Sequence, residues 1–171
     1  MQQPEMAHAA KSETIELMLS ASRSAAETTR SAPWYLIVVL VLATGVVAVD
    51  QFTKRWAETS LTDGEATPVV GEIIRWRLVY NPGAAFGLGS AFTWILTAIA
   101  ALAVVGLLVL SARVHTPSWA IGVGVLLGGA VSHLSDRLLR EPGFARGHIV
   151  DFIDYNGFFV GNVADIAIVG G

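Results

Sequence analysis

Ser31-Ala32-Pro33-Trp34-Tyr35-Leu36-Ile37-Val38-Val39-Leu40-Val41-Leu42-Ala43-Thr44-Gly45-Val46-Val47-Ala48-Val49 runs from Arg30 to Asp50 without a charge. As a helix rising ~1.5 Å per residue, these 19 residues are long enough to cross a hydrocarbon layer of ~30 Å. Two further uncharged blocks, Ala91 to Ala112 and Val114 to Ser135, read as spanning helices, the latter with its apolar centre between Trp119 and Leu134. Only Arg113 to Ser118 joins them, so they are antiparallel neighbours. A fourth apolar stretch opens at Phe158-Phe159-Val160, contains Asp165 and ends at Gly171. Its 14 residues make ~21 Å of helix, which reads as a fourth span truncated at its C-terminal end. The expected fold is an all-α membrane protein, a four-transmembrane-helix bundle. Gly124, Gly128 and Gly129 are small enough to let its helices approach closely.

Composition agrees. Of 171 residues, 53% are hydrophobic and 15% charged, with a mean hydropathy of +0.57, which excludes an ordinary soluble domain. Eleven Lys and Arg against 14 Asp and Glu leave a net charge of -3, so no basic field exists to hold nucleic acid. The absence of cysteine removes disulfides, thiolate nucleophiles and Cys-ligated zinc. Catalysis must run on carboxylates, hydroxyls or histidine.

Residues 1–32, rich in Ala, Ser, Glu and Thr, read as a flexible polar extension rather than a cleavable signal, with a weakly amphipathic stretch from Ile15 to Leu19. Residues 33–171 form the membrane domain. Between Asp50 and Ser90 lies the longest connection, whose Thr67 to Tyr80 segment has strand-like residues bounded by turn residues. A small surface β-sheet in this first loop is expected.

Ionisable groups are expensive in spanning segments, so each needs a partner or a task. They gather at one rim. Asp50 and Lys54 close the first block and Asp136 and Arg137 the third, while Asn162 and Asp165 sit near the start of the fourth. The first and third blocks run in the same direction and the fourth returns, so these groups meet on one side with Asp151 and Asp154. Several carboxylates at one rim suggest aspartyl hydrolysis, in which two Asp share a proton across a water molecule. The alternative is structural: Asp50 with Lys54 and Asp136 with Arg140 are i,i+4 ion pairs. For Asp50 and Asp136 the structural reading is the stronger. For Asp165, with no charged residue within four positions, the catalytic one is.

The local strings then take on a pattern. Asp50-Gln51-Phe52-Thr53-Lys54, Asn81-Pro82-Gly83-Ala84-Ala85-Phe86-Gly87, Ser135-Asp136-Arg137, Gly147-His148-Ile149-Val150-Asp151-Phe152 and Asn162-Val163-Ala164-Asp165 occur in this order. From Trp34 to Gly171 the chain resembles bacterial lipoprotein signal peptidase (signal peptidase II), of the actinobacterial type. The resemblance implies a membrane aspartyl endopeptidase that needs no cofactor or metal and removes the signal peptide from diacylglyceryl-modified prolipoproteins, before the lipidated cysteine. It implies Asp151 and Asp165 as the catalytic pair, with Asp50, Lys54, Asn81, Arg137 and Asn162 lining the substrate pocket and Asp136 supporting it. Phe86 is open between a substrate contact and an interface anchor. A monomer is expected, with lipid-modified prolipoproteins and membrane lipids as partners. It would lie in the bacterial cell membrane with both termini cytoplasmic and the catalytic rim at the outer face.

The chain departs from the family pattern before Asp136-Arg137, where Gly-Asn is replaced by Ser132-His133; His133 can donate or accept in place of the Asn, but it is bulkier and titratable. The positive-inside count also opposes the implied orientation. Lys54, Arg55, Arg75, Arg77, Arg137, Arg140 and Arg146 lie on the rim side against Lys11, Arg23, Arg30 and Arg113. Two other classes compete. A non-catalytic four-span proton-relay or assembly subunit would run its acids through the bilayer depth rather than along one rim. A metal site from His133, His148, Asp136 and Asp151 lacks metal-binding spacing.

Overall fold

The computed structural model describes residues 14–20, 33–84 and 88–171. Residues 14–20 form a short exposed helix, while the remainder of the expected 1–32 extension, and Phe86, lie outside the described residues. The main elements are α1 (Pro33–Ser60), β1 (Thr67–Val70), β2 (Ile74–Asn81), a 3-10 turn (Ser90–Phe92), α2 (Thr93–Ser111), α3 (Pro117–Leu139), β3 (Ile149–Asp154), β4 (Val160–Gly161) and α4 (Val163–Gly170).

Helix periodicity explains how α1 and α3 pack. One face of α1 carries Val39, Ala43, Val46, Asp50 and Lys54, spaced by three or four residues and turned toward α3, and Ala57 continues the row to pack against the sheet. The answering row on α3 is Gly124, Gly128, Ser132, Asp136 and Arg140, each four residues apart. A Cβ on Gly128 would lie 2.6 Å from Val46 Cβ and 2.8 Å from the Ala43 carbonyl oxygen. Only glycine lets the backbones come this close. A second row on α3 turns toward α4: a Cβ on Gly129 would lie 2.8 Å from the Ala164 carbonyl oxygen, and His133 follows one turn later. Thr116, whose hydroxyl accepts from the Trp119 N–H, starts α3 with Pro117 at the first helical position. α2 also packs on α3 and leaves Ile95, Ile99, Leu102, Val105 and Val109 open, as suits a face in lipid.

Two expectations change. Among the described residues three helices are long and apolar enough to cross a membrane. The fourth block opens in a turn and a strand rather than a helix, so α4 begins only at Val163 and runs 8 residues, about 12 Å. The count of four spans therefore finds three helices of membrane length among the described residues. The chain is mostly helical rather than all-α, and its sheet is not confined to the first loop. The sheet is antiparallel in the order β1-β2-β3-β4, with half its strands from residues 149–161. Ile149-Val150-Asp151-Phe152-Ile153 is β-branched and aromatic around one acid, and its alternation sends Val150 and Phe152 into a core with Leu78 and Ala57. Trp56 meets Trp76 edge-on at 5.3 Å between ring centres, which seats the sheet on the end of α1. Register then pairs Val79 with Asp151 and Asn81 with Ile149.

Gly128→Ala should cost about 1–3 kcal/mol through overpacking and lower the melting temperature in detergent. Gly45→Ala, with nothing within 4 Å, should leave it unchanged or raise it. Equal melting of the two variants would mean that α1 and α3 can separate without loss.

Candidate active site

Beneath the rim, the α1 and α3 rows turn polar at the same level. Lys54 Nζ lies 2.6 Å from Asp50 Oδ2 and 2.7 Å from Asp136 Oδ2, and all three side chains are buried. One ammonium thus binds carboxylates from two helices. The remaining lone pairs are taken: Asp50 Oδ2 accepts from the Ser132 hydroxyl at 2.6 Å, and Asp136 Oδ1 accepts from Arg140 Nε at 2.7 Å and Gln51 Nε2 at 2.9 Å. Arg140 also pairs with Glu58. Both i,i+4 pairs expected from spacing are present. A buried charge is tolerable only when so fully satisfied.

Asp50 reaches further, because its Oδ1 accepts from the Ala164 N–H at 2.8 Å, in the first turn of α4. That turn is closed by a capping box, in which Asn162 Oδ1 accepts from the Asp165 N–H at 3.0 Å and Asp165 Oδ2 accepts from the Asn162 N–H at 2.9 Å. The Asn162 side chain continues to β3, donating from Nδ2 to Asp151 Oδ1 at 2.6 Å. From the opposite strand Asn81 Nδ2 donates to Asp151 Oδ2 at 3.0 Å. Asn162 therefore bridges the two acids, by its side chain to one and its backbone to the other.

Asp151 and Asp165 border the same cavity of about 280 Å³, together with Asn81, Gly83, Ala84, His133 and Arg137. Its apolar wall is Leu96, Ile99 and Ala100 of α2 with Ile149, Phe159 and Ile168. Asp151 is only 3% exposed, whereas the Asp165 side chain is 28% exposed. Burial, and then the charge of Asp165, pushes the Asp151 carboxyl up from 3.8 to about 7, against the hydrogen bonds of Asn81 and Asn162 and the charge of Lys54. A buried acid beside a more open one in a single cavity is an arrangement that can share a proton.

The structure thus separates the expected site residues into two groups. Asp151, Asp165, Asn81, His133 and Arg137 reach the cavity; Asp50, Lys54 and Asp136 are engaged with one another rather than lining it. Asn162 joins the two groups. Arg137 is spent on backbone, donating to the carbonyls of Asn81 at 3.2 Å, Pro82 at 2.9 Å and Gly147 at 3.0 Å, and to that of Gly83. It holds the 81–83 turn in place. Asp154, on the same strand as Asp151, is buried against Arg75 at 2.8 Å and caps the Gly157 N–H at 2.6 Å. Sequence reading missed the apolar wall from α2 and the roles of Gln51 and Glu58. Glu58, four residues beyond Lys54, carried a spacing signal. Among the described residues no three His, Asp or Glu side chains gather as metal ligands.

Because the folded value of Asp151 lies above the unfolded one, its stabilising contribution is complete below 3.8 and is lost as pH rises through about 7. Asp151→Asn, a neutral near-isostere, should melt above the unaltered chain in detergent near pH about 8 and lose that advantage by pH about 4. A melting difference that stays flat, or grows toward acid, would contradict a fold that favours neutral Asp151.

Comparison with known proteins adds a further observation. A family described as signal peptidase (SPase) II matches residues 42–171. A lipoprotein signal peptidase of Mycobacterium avium is 44% identical over 139 residues, covering 81% of this chain and 76% of the relative. One from Mycobacterium tuberculosis is 42% identical over 139 residues, covering 81% and 69%. Among solved structures, a bacterial membrane enzyme determined by the in meso method at 2.3 Å is similar with a TM-score of 0.68 and 26% identity, covering 77% of this chain and 80% of that one.

Proposed function

This chain belongs to the signal peptidase II family, and we propose that it cleaves lipoprotein signal peptides with Asp151 and Asp165 as an aspartyl dyad. It is a membrane protease acting on lipoprotein substrates. The observation that carries the mechanism is that the two acids border one cavity and are bridged by Asn162. Asp165, the more open, takes a proton from a water in the cavity as the water attacks the scissile carbonyl. Asp151, held neutral by burial, donates to the carbonyl oxygen and stabilises the tetrahedral species. When that species collapses the carbon–nitrogen bond breaks and the nitrogen leaves with a proton delivered by the dyad. The products are a signal peptide carboxylate and a lipoprotein with a free amino terminus, and both acids return to their starting states.

Asn81 and Asn162 support this reading as neutral groups that hold Asp151 without adding a second charge. The wall of Leu96, Ile99 and Ala100 fits a substrate that approaches from lipid: a diacylglyceryl-modified prolipoprotein whose acyl chains stay in the bilayer while the bond before its modified cysteine enters the cavity. The working unit is a single chain in the cell membrane, with the rim at the outer face and the N terminus cytoplasmic.

In detergent, Asp151→Asn and Asp165→Asn should each reduce cleavage of a diacylglyceryl-modified prolipoprotein by a factor on the order of 10³ or more, with the double variant hardly worse than either. Glu65→Gln, exposed and remote from the cavity, should retain full activity. Near-normal turnover in both single variants would remove the dyad. Orientation is tested separately, since the chain has no cysteine of its own. With single Ser60→Cys and Ser118→Cys variants, an impermeant thiol reagent on intact cells should label only the first; labelling only the second would reverse the assignment.

A further inference from the structure

Asn162 joins the two acids only if its amide faces the right way. The atom opposite the Asp165 N–H must be an acceptor, because a backbone N–H can only donate, so Asn162 Oδ1 is fixed there and Nδ2 is turned toward Asp151. His133 Nε2 lies 3.2 Å from that same Oδ1 and 3.5 Å from Asp165 Oδ1. Both neighbours of Nε2 are thus oxygens. Asn162 Oδ1 cannot donate, and so the hydrogen must sit on Nε2.

The placement follows from α3. Ser132 and His133 are adjacent in sequence but point about 100° apart on a helix. Ser132 goes down to Asp50, and His133 goes across to the cavity, where its side chain is 17% exposed. One residue of α3 therefore touches the capping residue of α4 and one of the two acids at once. The charged groups around it are Asp165 from α4, Asp151 from β3, Asp50 and Lys54 from α1, and, across the shared cavity, Arg137 of α3.

We propose that His133 is a positioning residue of the active site, its Nε2–H shared between Asn162 Oδ1 and Asp165 Oδ1 so that the Asn162 amide keeps its NH2 group on Asp151 and the two acids stay in register. This rests on the dyad reading above. Removing the donor leaves the Asn162 carbonyl with one partner instead of two and leaves the Asp165 carboxylate held only through Oδ2 by the Asn162 N–H, with Oδ1 no longer oriented by His133. The loss falls on the chemical step rather than on binding.

The test uses the full chain in detergent with two variants of similar volume, His133→Gln, which can place an amide N–H where Nε2 was, and His133→Met, which cannot. His133→Met should lower kcat on the order of 10²-fold with KM little changed, and His133→Gln should recover most of the loss. Nitrogen NMR of histidine-labelled chain should find His133 with its proton on Nε2. Wild-type kcat in His133→Met overturns the proposal, as does His133→Gln equally impaired at an unchanged melting temperature, or a proton found on Nδ1 alone. If His133→Met fails to fold, the tautomer and the His133→Gln turnover decide. Asp151→Asn is assayed alongside: full cleavage by it removes the dyad, while the NMR result still decides whether His133 holds Asn162.

Discussion

Everything at the rim depends on one buried ammonium. Lys54 sits between Asp50 of α1 and Asp136 of α3 with no exposed surface, and its one ammonium is the charge that both buried carboxylates share. The position is not negotiable by small shifts, since both distances are already at hydrogen-bond contact. Two parallel helices are thereby fixed in rotation and in height. Asp50 then passes this constraint to α4 through the Ala164 N–H, so the short last helix is docked by a hydrogen bond to a charge as well as by Gly129 against its backbone.

That arrangement separates two kinds of acid. Asp50 and Asp136 are surrounded by donors, from Lys54, Arg140, Gln51, Ser132 and a backbone N–H. Asp151 receives only two neutral amides and faces another carboxylate across a cavity, so burial dominates and its proton is retained to about pH 7. The same residue type therefore serves as framework in one place and borders the cavity in another. The sheet provides the difference in surroundings: β3 lies between β2 and β4, and Asp151 on it meets Asn81 at the end of β2 and Asn162 just after β4.

Close packing and polar networks are linked along α3. Its row of Gly124, Gly128, Ser132, Asp136 and Arg140 starts with residues that have almost no side chain and ends with ones that carry charge. The glycines bring the backbones together, and that proximity lets Ser132 and Asp136 reach Asp50 and Lys54. Where the family pattern has glycine and asparagine, Ser132 still fits this close approach and His133 turns to the cavity. The departure is accommodated on both faces of the helix.

Much of this could be read from the sequence. Uncharged runs of membrane length gave the three long helices because, in lipid, backbone groups can be satisfied only within the segment, which leaves helix as the outcome. Span direction brought Asp50, Lys54, Asp136, Asp151 and Asp165 to one rim, and spacing by four identified the Asp50–Lys54 and Asp136–Arg140 pairs. The tertiary structure alone decided what spacing cannot encode. Phe158 to Gly161 is apolar enough for helix, but Val160 and Gly161 pair instead with Asp154 and Ile153 of β3, which the distant β2 holds in the sheet, so α4 starts late. Which acids meet a cavity and which are sealed by cations depended on contacts between residues about 80 to 115 positions apart, such as Lys54 with Asp136 and Asp50 with Ala164. Local sequence fixes the direction of a side chain on its own helix, whereas its partner, its burial and hence its proton are set by whatever element the fold packs against it.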